Sequence, residues 1–513
     1  MVKAKQDKKS YHVVTRRILT TDFQARKIDK VMDAANNLYN MGVSYYAPIV
    51  KTLMADPWFQ YLLKKYRQWQ DENPDSDKTN PYQAEVSMWI ATLELREFDL
   101  QKWFGNIASK SFSKCINSAI VQKIATNLYS SIRKVIFSSG KHVHYRKQGG
   151  TNSLEGKSNV NGIIYKESTD TVSFSKMKLS LKPVREKDHY MQEALTSGKV
   201  KYCRIVRRTF KNGYKYFVQL IIEGPAPKKF VVKQGETGQD PGISTSTFYG
   251  DNYCGFETLS KGCEKYEKQI RQASIKYERR RRMANPQNYN PDGTIKGGIK
   301  LRWNWTKGII EALFELKDAY RQKSEHVKNY NGWLSNRIVS VTSVLHQEQM
   351  NYPALAKRSK KPAERSDKAS KIKTKKGVEK TVHKFKRKRR FGRSVLRRAP
   401  GMFDKMLRDK VVRYGGKVIA LDPWQTASSQ VDHITGQKTK IPLSQRTKKV
   451  GDKKVQRDFY SSFLNRYTDE NNVLDRSLCK KNLSTFLERQ RDVIHKIRQE
   501  GDRTGNFGLA DFV

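Results

Sequence analysis

Three acidic residues stand in contexts that could position carboxylates for metal-dependent chemistry. Asp240 lies in Gly-Gln-Asp-Pro-Gly, where the Pro-Gly pair favours a tight turn directly after a predicted strand. Glu348 ends the apolar, β-branched run 339–348, and Asp458 begins a predicted helix. Hard divalent cations prefer carboxylate oxygens, and two such ions can activate a water and stabilise the leaving oxygen of a phosphodiester. The three residues therefore predict a site for two Mg²⁺ ions, which Mn²⁺ can replace.

Each of these residues also has an ordinary structural explanation. A lone Asp240 is typical of a turn, a lone Glu348 of an exposed strand end, and a lone Asp458 of a helix N-terminus, where it stabilises the helix dipole. In either conformation of the run 339–348, Glu348 falls at the edge of a buried surface, where an unpaired carboxylate is costly and a cation offsets the cost. The run predicts a buried strand, but it also fits a helical face through Leu334, Ile338, Val341 and Leu345.

The chain carries a large excess of positive charge. It has 101 Lys and Arg residues against 50 Asp and Glu residues, which gives a formal net charge of +51. Such a chain repels itself unless a polyanion neutralises it, and nucleic acid is the commonest intracellular polyanion. No apolar run reaches the roughly 18 residues of a transmembrane helix, and no amphipathic anchor or lipidation motif is evident. We therefore expect a soluble, cytoplasmic protein that binds nucleic acid and no membrane.

The first half of the chain predicts a strand, a helical region and further strands. Residues 10–20 predict a strand, after which Thr21 or Asp22 begins a helix. Residues 23–140 predict one helical domain, whose last helix is expected at 111–137. Besides 10–20, the expected strands are 171–175, 177–181, 200–210 and 214–222. Together these strands predict a small antiparallel barrel or sheet, with a hairpin at Asn212-Gly213.

The second half predicts an α/β domain. A strand-turn-strand unit at 236–249 precedes basic helices, and a helix at 402–413 ends at a Gly-Gly pair before a strand at 417–421. Residues 357–393 carry 18 Lys or Arg residues against 3 acidic ones. This composition is typical of a solvated, disordered segment, but its place inside an α/β domain equally favours a flexible loop on nucleic acid. The fold class is therefore multidomain α+β.

The order of motifs along nearly the whole chain resembles the TnpB-like and compact type V CRISPR effector family of RNA-guided RuvC nucleases. The contexts of Asp240, Glu348 and Asp458 are similar to the three acidic motifs of the RuvC domain. Each match is weak alone, and their correct order is what makes the series specific. The supporting matches are Asn37-Leu-Tyr-Asn-Met-Gly42, the Asn212-Gly213 hairpin, residues 415–423, Ser429-Gln430 and Leu443-Ser444-Gln-Arg446.

This resemblance implies a domain organisation. It implies a wedge β-barrel at 1–22 and 141–235, a helical recognition domain inserted at 23–140, and a RuvC-like nuclease domain of RNase H fold at 236–513. The nuclease domain is expected to contain three further segments: a basic insertion at 357–393, a lid region at 424–456 and a C-terminal tail at 466–513.

The resemblance also implies a prokaryotic RNA-guided DNA endonuclease, of a CRISPR defence system or a transposon, that is nucleoid-associated when bound to DNA. Asp240, Glu348 and Asp458 are then the catalytic and metal-binding residues. The implied partners are a structured guide RNA and double-stranded target DNA with a short adjacent motif; one or two protein copies are compatible with this. Because base pairing reads the sequence, the protein mainly holds nucleic-acid backbones. Some aromatic residues are candidates for base stacking or for core packing: Tyr145, Trp303, Trp305 and Tyr330.

The chain departs from the family in the lid region. The family usually carries two CxxC pairs there, whereas the corresponding stretches 432–436 and 447–451 contain no cysteine. We therefore expect no structural zinc. Asp432 and His433 are potential metal ligands, but two such residues without partners are expected to be polar surface groups. The tail 466–513 is a candidate contact for RNA or a second subunit.

Other functions fit the same composition. A guided binder that blocks transcription without cutting would share the charge and the guide, although such proteins usually lose one or more of the three acids. In a general RNA-binding or chromatin-like protein the carboxylates would be incidental. A DNA transposase would share the RNase H fold, but the order of the flanking motifs disfavours it.

Overall fold

The chain forms two compact units, Met1–Lys229 and Phe230–Val513. The computed structural model describes residues 10–74, 76, 78–138, 140–356, 364–373, 379–385, 392–442, 445–500 and 508–509. Across these ranges, no helix combines the length and the apolar character that crossing a membrane requires.

The first unit combines a seven-stranded antiparallel sheet with a group of helices. The strand order is β2-β6-β7-β1-β5-β4-β3. The strands are β1 (Tyr11–Leu19), β2 (Ser153–Glu155), β3 (Ile163–Lys166), β4 (Thr171–Phe174), β5 (Met177–Leu181), β6 (Val200–Phe210) and β7 (Gly213–Glu223). The helices are α1 (Asp22–Leu53), α2 (Pro57–Glu72), α3 (Gln83–Thr92), α4 (Glu97–Ser111), α5 (Ser118–Phe137) and α6 (His189–Thr196). Apolar side chains of the sheet and of the helices share one core, in which Val14 and Leu128 are both buried.

The helix starts follow from capping side chains. The hydroxyl of Thr21 accepts the N–H of Gln24, and the Gln24 side chain accepts the N–H of Thr21, so α1 begins where the sequence predicts. The predicted helix 111–137 was too long. Asn117 caps α5 by accepting the N–H of Ala119, and a turn separates α5 from α4.

The predicted antiparallel strands and the hairpin at Asn212-Gly213 are present, but a closed barrel is not found. Among the described residues, the edge strands β2 and β3 each pair with one neighbour and not with each other. Both strands are short, and the segment that connects them forms backbone hydrogen bonds with β6. There the N–H of Gly156 donates to the carbonyl of Cys203, and the N–H of Asn159 donates to that of Lys201.

The second unit is built on a mixed five-stranded sheet of order β10-β9-β8-β11-β14. β8, β11 and β14 run parallel, whereas β9 pairs antiparallel with both β8 and β10. These strands are β8 (Glu236–Pro241), β9 (Thr245–Gly250), β10 (Cys254–Thr258), β11 (Val344–Glu348) and β14 (Lys417–Leu421). Two smaller antiparallel pairs are β12 (Glu364–Lys373) with β13 (Glu379–Phe385) and β15 (Thr447–Val450) with β16 (Lys453–Gln456).

Helices cover both faces of this sheet because successive strand residues point to opposite sides. Phe248 packs in a core with α8 and α11, while Tyr249 packs on the other face with α13 and α15. The helices are α7 (Cys263–Ala284), α8 (Lys307–Val339), α9 (Tyr352–Ala356), α10 (Gly392–Arg398), α11 (Pro400–Arg413), α12 (Pro423–Thr426), α13 (Arg457–Arg466), α14 (Arg476–Lys481) and α15 (Leu483–Gln499).

Gly238 lets α13 lie directly on β8. A Cβ at this position would collide with the backbone carbonyl of Ser462 and the backbone nitrogen of Arg466. The buried Ser461 and Ser462 keep the facing surface of the helix small as well. The approach of α13 to β8 therefore depends on residue 238 having no side chain.

Two sequence expectations need correction, and the expected contact of the tail with RNA or a second subunit stays a prediction. The run 339–348 is not one strand, because α8 extends to Val339 and β11 begins only at Val344. The described parts of 357–393 are not a loop throughout: β12 and β13 pair by backbone groups, which a Lys-rich composition does not prevent. The described part of the tail 466–513 packs within this unit, where Phe486 of α15 is fully buried.

Candidate active site

Asp240 and Glu348 lie beside each other at one edge of the five-stranded sheet. β8 and β11 are parallel with Gln239 opposite Gln347, so the next residue on each strand is one of the two acids. Desolvation by the surrounding protein raises the pKa of the Asp240 carboxyl well above its usual range, and the charges of Glu348 and Asp458 raise it further. Desolvation likewise raises the pKa of Glu348. Two carboxyl groups that resist ionisation thus face the same space.

Asp458 joins this edge from the first turn of α13. Thr247 is the cross-strand partner of Asp240, and its hydroxyl donates to the backbone carbonyl of Asp458 over 2.8 Å. The charge of Asp458 acts directly on the pKa of Asp240. The structure thus brings together the three acids that the sequence singles out, from two parallel strands and one helix.

The Asp458 carboxylate is held by two arginines. Nη2 of Arg457 donates to Oδ1 over 2.8 Å, and Nη1 of Arg446 donates to Oδ2 over 3.0 Å. Arg457 is buried and also donates to the backbone carbonyl of Gln445, whereas Arg446 keeps a partly exposed side chain. Both oxygens of Asp458 are therefore engaged, and Arg446 is the partner that can leave at lower cost.

The Glu348 carboxyl is held by two residues that the sequence did not indicate. The neighbouring side chains of Asn465 and Ser428 lower its pKa and so oppose the effect of desolvation. The hydroxyl of Ser428 donates to Oδ1 of Asn465 over 2.5 Å, and Nδ2 of Asn465 donates to the carbonyl of Gln239 over 2.9 Å. Asn465 follows Asp458 by seven residues, which is two helical turns on one face of α13. That spacing is the signal that could have identified it.

A buried polar layer lies on the opposite face of the sheet, directly behind the acids. Nε2 of Gln347 donates to Oε1 of Gln239 over 2.5 Å, and Nε2 of Gln239 donates to Oδ1 of Asp404 over 3.0 Å. Tyr352 donates its hydroxyl to the other Asp404 oxygen, and Arg408 donates to Oε1 of Gln347. Burial raises the pKa of Asp404 to about 6. This layer fixes the two glutamines that precede Asp240 and Glu348.

Asp404 could have been recognised from the helical pattern of α11. It shares the buried side of the helix with Phe403, Leu407 and Val411. An acid among buried apolar residues must find partners, because an unpaired buried carboxyl is costly. The pattern would have shown that Asp404 is buried, but not that its partners are on β8 and α9.

The donor set fits a hard divalent cation in its chemistry. All three side chains offer carboxylate oxygens, which Mg²⁺ and Mn²⁺ prefer over nitrogen or sulfur ligands. The three side chains do not form a complete set of metal ligands in this structure. Within the described ranges, no three His, Cys, Asp or Glu side chains are placed to hold one ion together. In this structure each oxygen of Asp458 is paired with an arginine.

The prediction that His433 lies at the surface was wrong. Its ring is fully buried, Nδ1 is 2.7 Å from the hydroxyl of Tyr460, and the ring packs against Phe463. The aromatic core of α13 therefore stabilises this part of the lid region. Asp432 is half-buried and accepts the N–H of Ile434. All five cysteines of the chain are free.

Comparisons with known proteins give distant similarities. No protein-family model matches the chain, and no curated protein matches it. A cryo-EM structure of a Cas12f1–sgRNA–target DNA complex matches 91% of this chain and 100% of that chain, at 11% identity and a TM-score of 0.41. A CRISPR-Cas12f ternary complex matches 89% and 98%, at 14% identity and 0.24. A Cas12i1 R-loop complex matches 80% and 57%, at 9% identity and 0.24. The similar structures are thus compact type V CRISPR effectors, at TM-scores below the level that establishes a common fold.

Proposed function

We propose that this chain is an RNA-guided DNA endonuclease that hydrolyses phosphodiesters at a single RuvC-like site formed by Asp240, Glu348 and Asp458. The observation that carries the proposal is the placement of Asp240 and Glu348 at adjacent ends of parallel strands, with Asp458 beside them on α13. A mixed sheet with its acids gathered at one edge supports the RNase H-fold part of this assignment.

The charge of the chain supports a nucleic-acid substrate. A net charge of +51 is far more than solubility requires, and Arg279 and Arg282 expose part of this charge on α7. The proposal includes a guide RNA and an adjacent DNA motif because the sequence motifs from Asn37 to Asp458 follow the order of the family that the sequence resembles. A protein that delegates sequence reading to base pairing needs positive charge over a long path, which agrees with the distribution of Lys and Arg along the chain.

Each residue of the site would have a different role in hydrolysis. Asp240 and Glu348 would supply oxygens from two fixed strand ends, and Asn465 with Ser428 would keep the Glu348 carboxyl in place. Asp458 would contribute a third carboxylate once Arg446 leaves it. Divalent ions bound there would supply a water of lowered pKa and would offset the charge that develops on the phosphate.

A guided binder without cleavage is the second candidate. It is favoured by the two arginines on Asp458, because a carboxylate whose charge is offset by two arginines attracts a metal cation less strongly. The two candidates share guide and target binding and differ only in turnover. A cleavage assay with and without Mg²⁺ separates them.

The test uses the protein purified with the RNA that accompanies it. Sequencing of that RNA gives the guide, and DNA matched to the guide, with a randomised flank, gives the substrate. We expect cleavage to require Mg²⁺ and Asp240→Asn to reduce its rate by on the order of 1000-fold, equivalent to about 4 kcal/mol of transition-state stabilisation. Glu470→Gln, which alters an exposed acid of the same unit, is the matched control and should cleave at the parental rate. Parental cleavage by Asp240→Asn would refute the proposed site.

A further inference from the structure

A short turn after β14 carries a tryptophan at the same edge of the sheet as the acids. β14 is parallel to β11, and Leu421 is the partner of Glu348. Trp424 follows three residues later, in the single turn α12. Since the carboxyl ends of parallel strands meet at one edge of a sheet, Trp424 belongs to the edge that holds Asp240 and Glu348.

The turn is tied to Glu348 at both ends. Before it, the carbonyl of Leu421 accepts the N–H of Gln349, the residue after Glu348, over 2.9 Å. After it, the hydroxyl of Ser428 donates to Oδ1 of Asn465 over 2.5 Å, and both side chains act on the pKa of Glu348. The position of Trp424 is therefore fixed relative to that carboxyl.

The turn is also rigid within itself. The carboxylate of Asp422 accepts the N–H of Trp424, and its carbonyl accepts the hydroxyl of Thr426. The N–H of Asp422 donates to Oδ1 of Asn472, and Nζ of Lys438 donates to the carbonyl of Gln425. Four hydrogen bonds thus hold this short turn, and its one aromatic side chain points outward.

The Trp424 side chain is exposed to an unusual degree. It is 91% exposed, compared with 53% for Trp58 and Trp333. Within the described part of the chain, its indole has no ring or cation stacked on it. A rigid turn that keeps a large flat apolar ring in water is suited to a flat ligand, and unpaired nucleobases stack on such rings irrespective of their sequence.

We propose that Trp424 is a stacking platform for an unpaired nucleobase next to the phosphodiester held at the Asp240–Glu348 edge. This rests on the proposed function, because it takes the strand at that edge to be nucleic acid. The DNA strand being cut is the occupant that the position favours, since the turn is anchored on Glu348 itself. Stacking would fix the strand beside the acids, so Trp424 would act on substrate binding and not on the chemical step.

The first measurement is the kinetics of guided cleavage. Loss of one stacked base is expected to raise KM for Trp424→Ala by about 5- to 100-fold with kcat within about threefold. Trp424→Phe keeps an aromatic face and should stay within about twofold of the parental KM. Trp58→Ala, which removes a half-exposed indole from the other unit, is the matched control and should leave KM unchanged. Equal KM values for the parental protein and Trp424→Ala would overturn the platform.

The second measurement does not depend on cleavage. In a Glu348→Gln background, tryptophan emission is compared between protein with and without Trp424→Phe, while a 12-nucleotide single-stranded DNA is added to the RNA-bound protein. We expect quenching that disappears with Trp424→Phe. Quenching by the guide RNA alone, with no further change on adding DNA, would assign the ring to a guide base and overturn the DNA platform. Quenching that depends only on protein concentration would also overturn the DNA platform.

The two proposals fail separately. If Asp240→Asn still cleaves but DNA quenches Trp424, the nuclease assignment is wrong and the stacking surface stands as a binding site. If Asp240→Asn abolishes cleavage but Trp424→Ala changes neither KM nor emission on binding DNA, the nuclease stands and the platform is wrong.

Discussion

The side-chain amides of Gln239 and Gln347 form a hydrogen bond of 2.5 Å between two parallel strands, and each glutamine is followed by an acid of the candidate site. Because side chains alternate along a strand, the amides point to one face and the acids to the other. A slip of one residue in this pairing would move Asp240 away from Glu348. The amide pair therefore fixes the register on which the site depends.

Asp404 is expected to stabilise this register. Asp404→Ala leaves the Tyr352 hydroxyl without its acceptor and removes one acceptor from Gln239, so we expect a loss of about 2 to 3 kcal/mol in the free energy of unfolding at pH 5. Asp404→Asn still offers an acceptor to Gln239 and a donor to Tyr352, and should lose less than about 1 kcal/mol. Urea titration checks both values. Equal stability of the alanine and parental proteins would show that the layer does not contribute.

The ionisation of Asp404 is expected to give the protein a pH-dependent stability. Burial raises its pKa from 3.8 to about 6, so the folded state favours the protonated form. The protonated Asp404 carboxyl then contributes roughly 2 to 3 kcal/mol to the free energy of unfolding. This contribution is fully present below about pH 4 and is lost as the pH rises through 6. The stability of the parental protein relative to Asp404→Asn should fall by this amount between pH 4 and pH 7. A difference that stays constant with pH would contradict this.

Gly238 is expected to tolerate no side chain. In Gly238→Ala the added methyl group would collide with the backbone at Ser462 and Arg466, which would push α13, and Asp458 with it, away from β8. We expect a loss of at least about 2 kcal/mol in unfolding free energy, together with a loss of cleavage. Gly332→Ala in α8 is the control, because a Cβ there meets no atom within 4 Å; it should stabilise the protein by about 0.5 to 1 kcal/mol. Equal effects of the two substitutions would argue against close packing at Gly238.

Arg446 is expected to compete with divalent ions for Asp458. Removing its charge in Arg446→Gln should lower the Mg²⁺ concentration for half-maximal cleavage by about two- to fivefold, the range expected for a partly exposed ion pair. Lys453→Gln removes an exposed positive charge from the same region and should leave that concentration unchanged. A higher Mg²⁺ requirement for Arg446→Gln would mean that the arginine assists metal binding.

The sequence identified the acids because their signals are local. The Pro-Gly turn after Asp240, the β-branched residues before Glu348 and the helix start at Asp458 can each be read from a short window. Glycine at 238 was part of the same motif, but its reason, the contact with Ser462, joins residues more than 200 positions apart. Spacing alone could not show that contact.

The partners of the acids were not predictable for the same reason. Ser428 and Asn465 reach Glu348 from a turn and a helix whose positions depend on the packing of the whole second unit. His433 appeared isolated in the sequence, and only the fold places Tyr460 and Phe463 around it. Trp424 could not be singled out from the sequence, because the exposure of its side chain depends on the fold.

The most direct test of the account is the cleavage rate of Glu348→Gln on guide-matched DNA in Mg²⁺. The amide keeps the size of the side chain beside Ser428 and Asn465, so the fold and target binding should be preserved while a carboxylate ligand is lost. We predict a fall on the order of 1000-fold in rate with target affinity within about threefold. Cleavage within about tenfold of the parental rate would contradict the claim that these carboxylates form the cutting site.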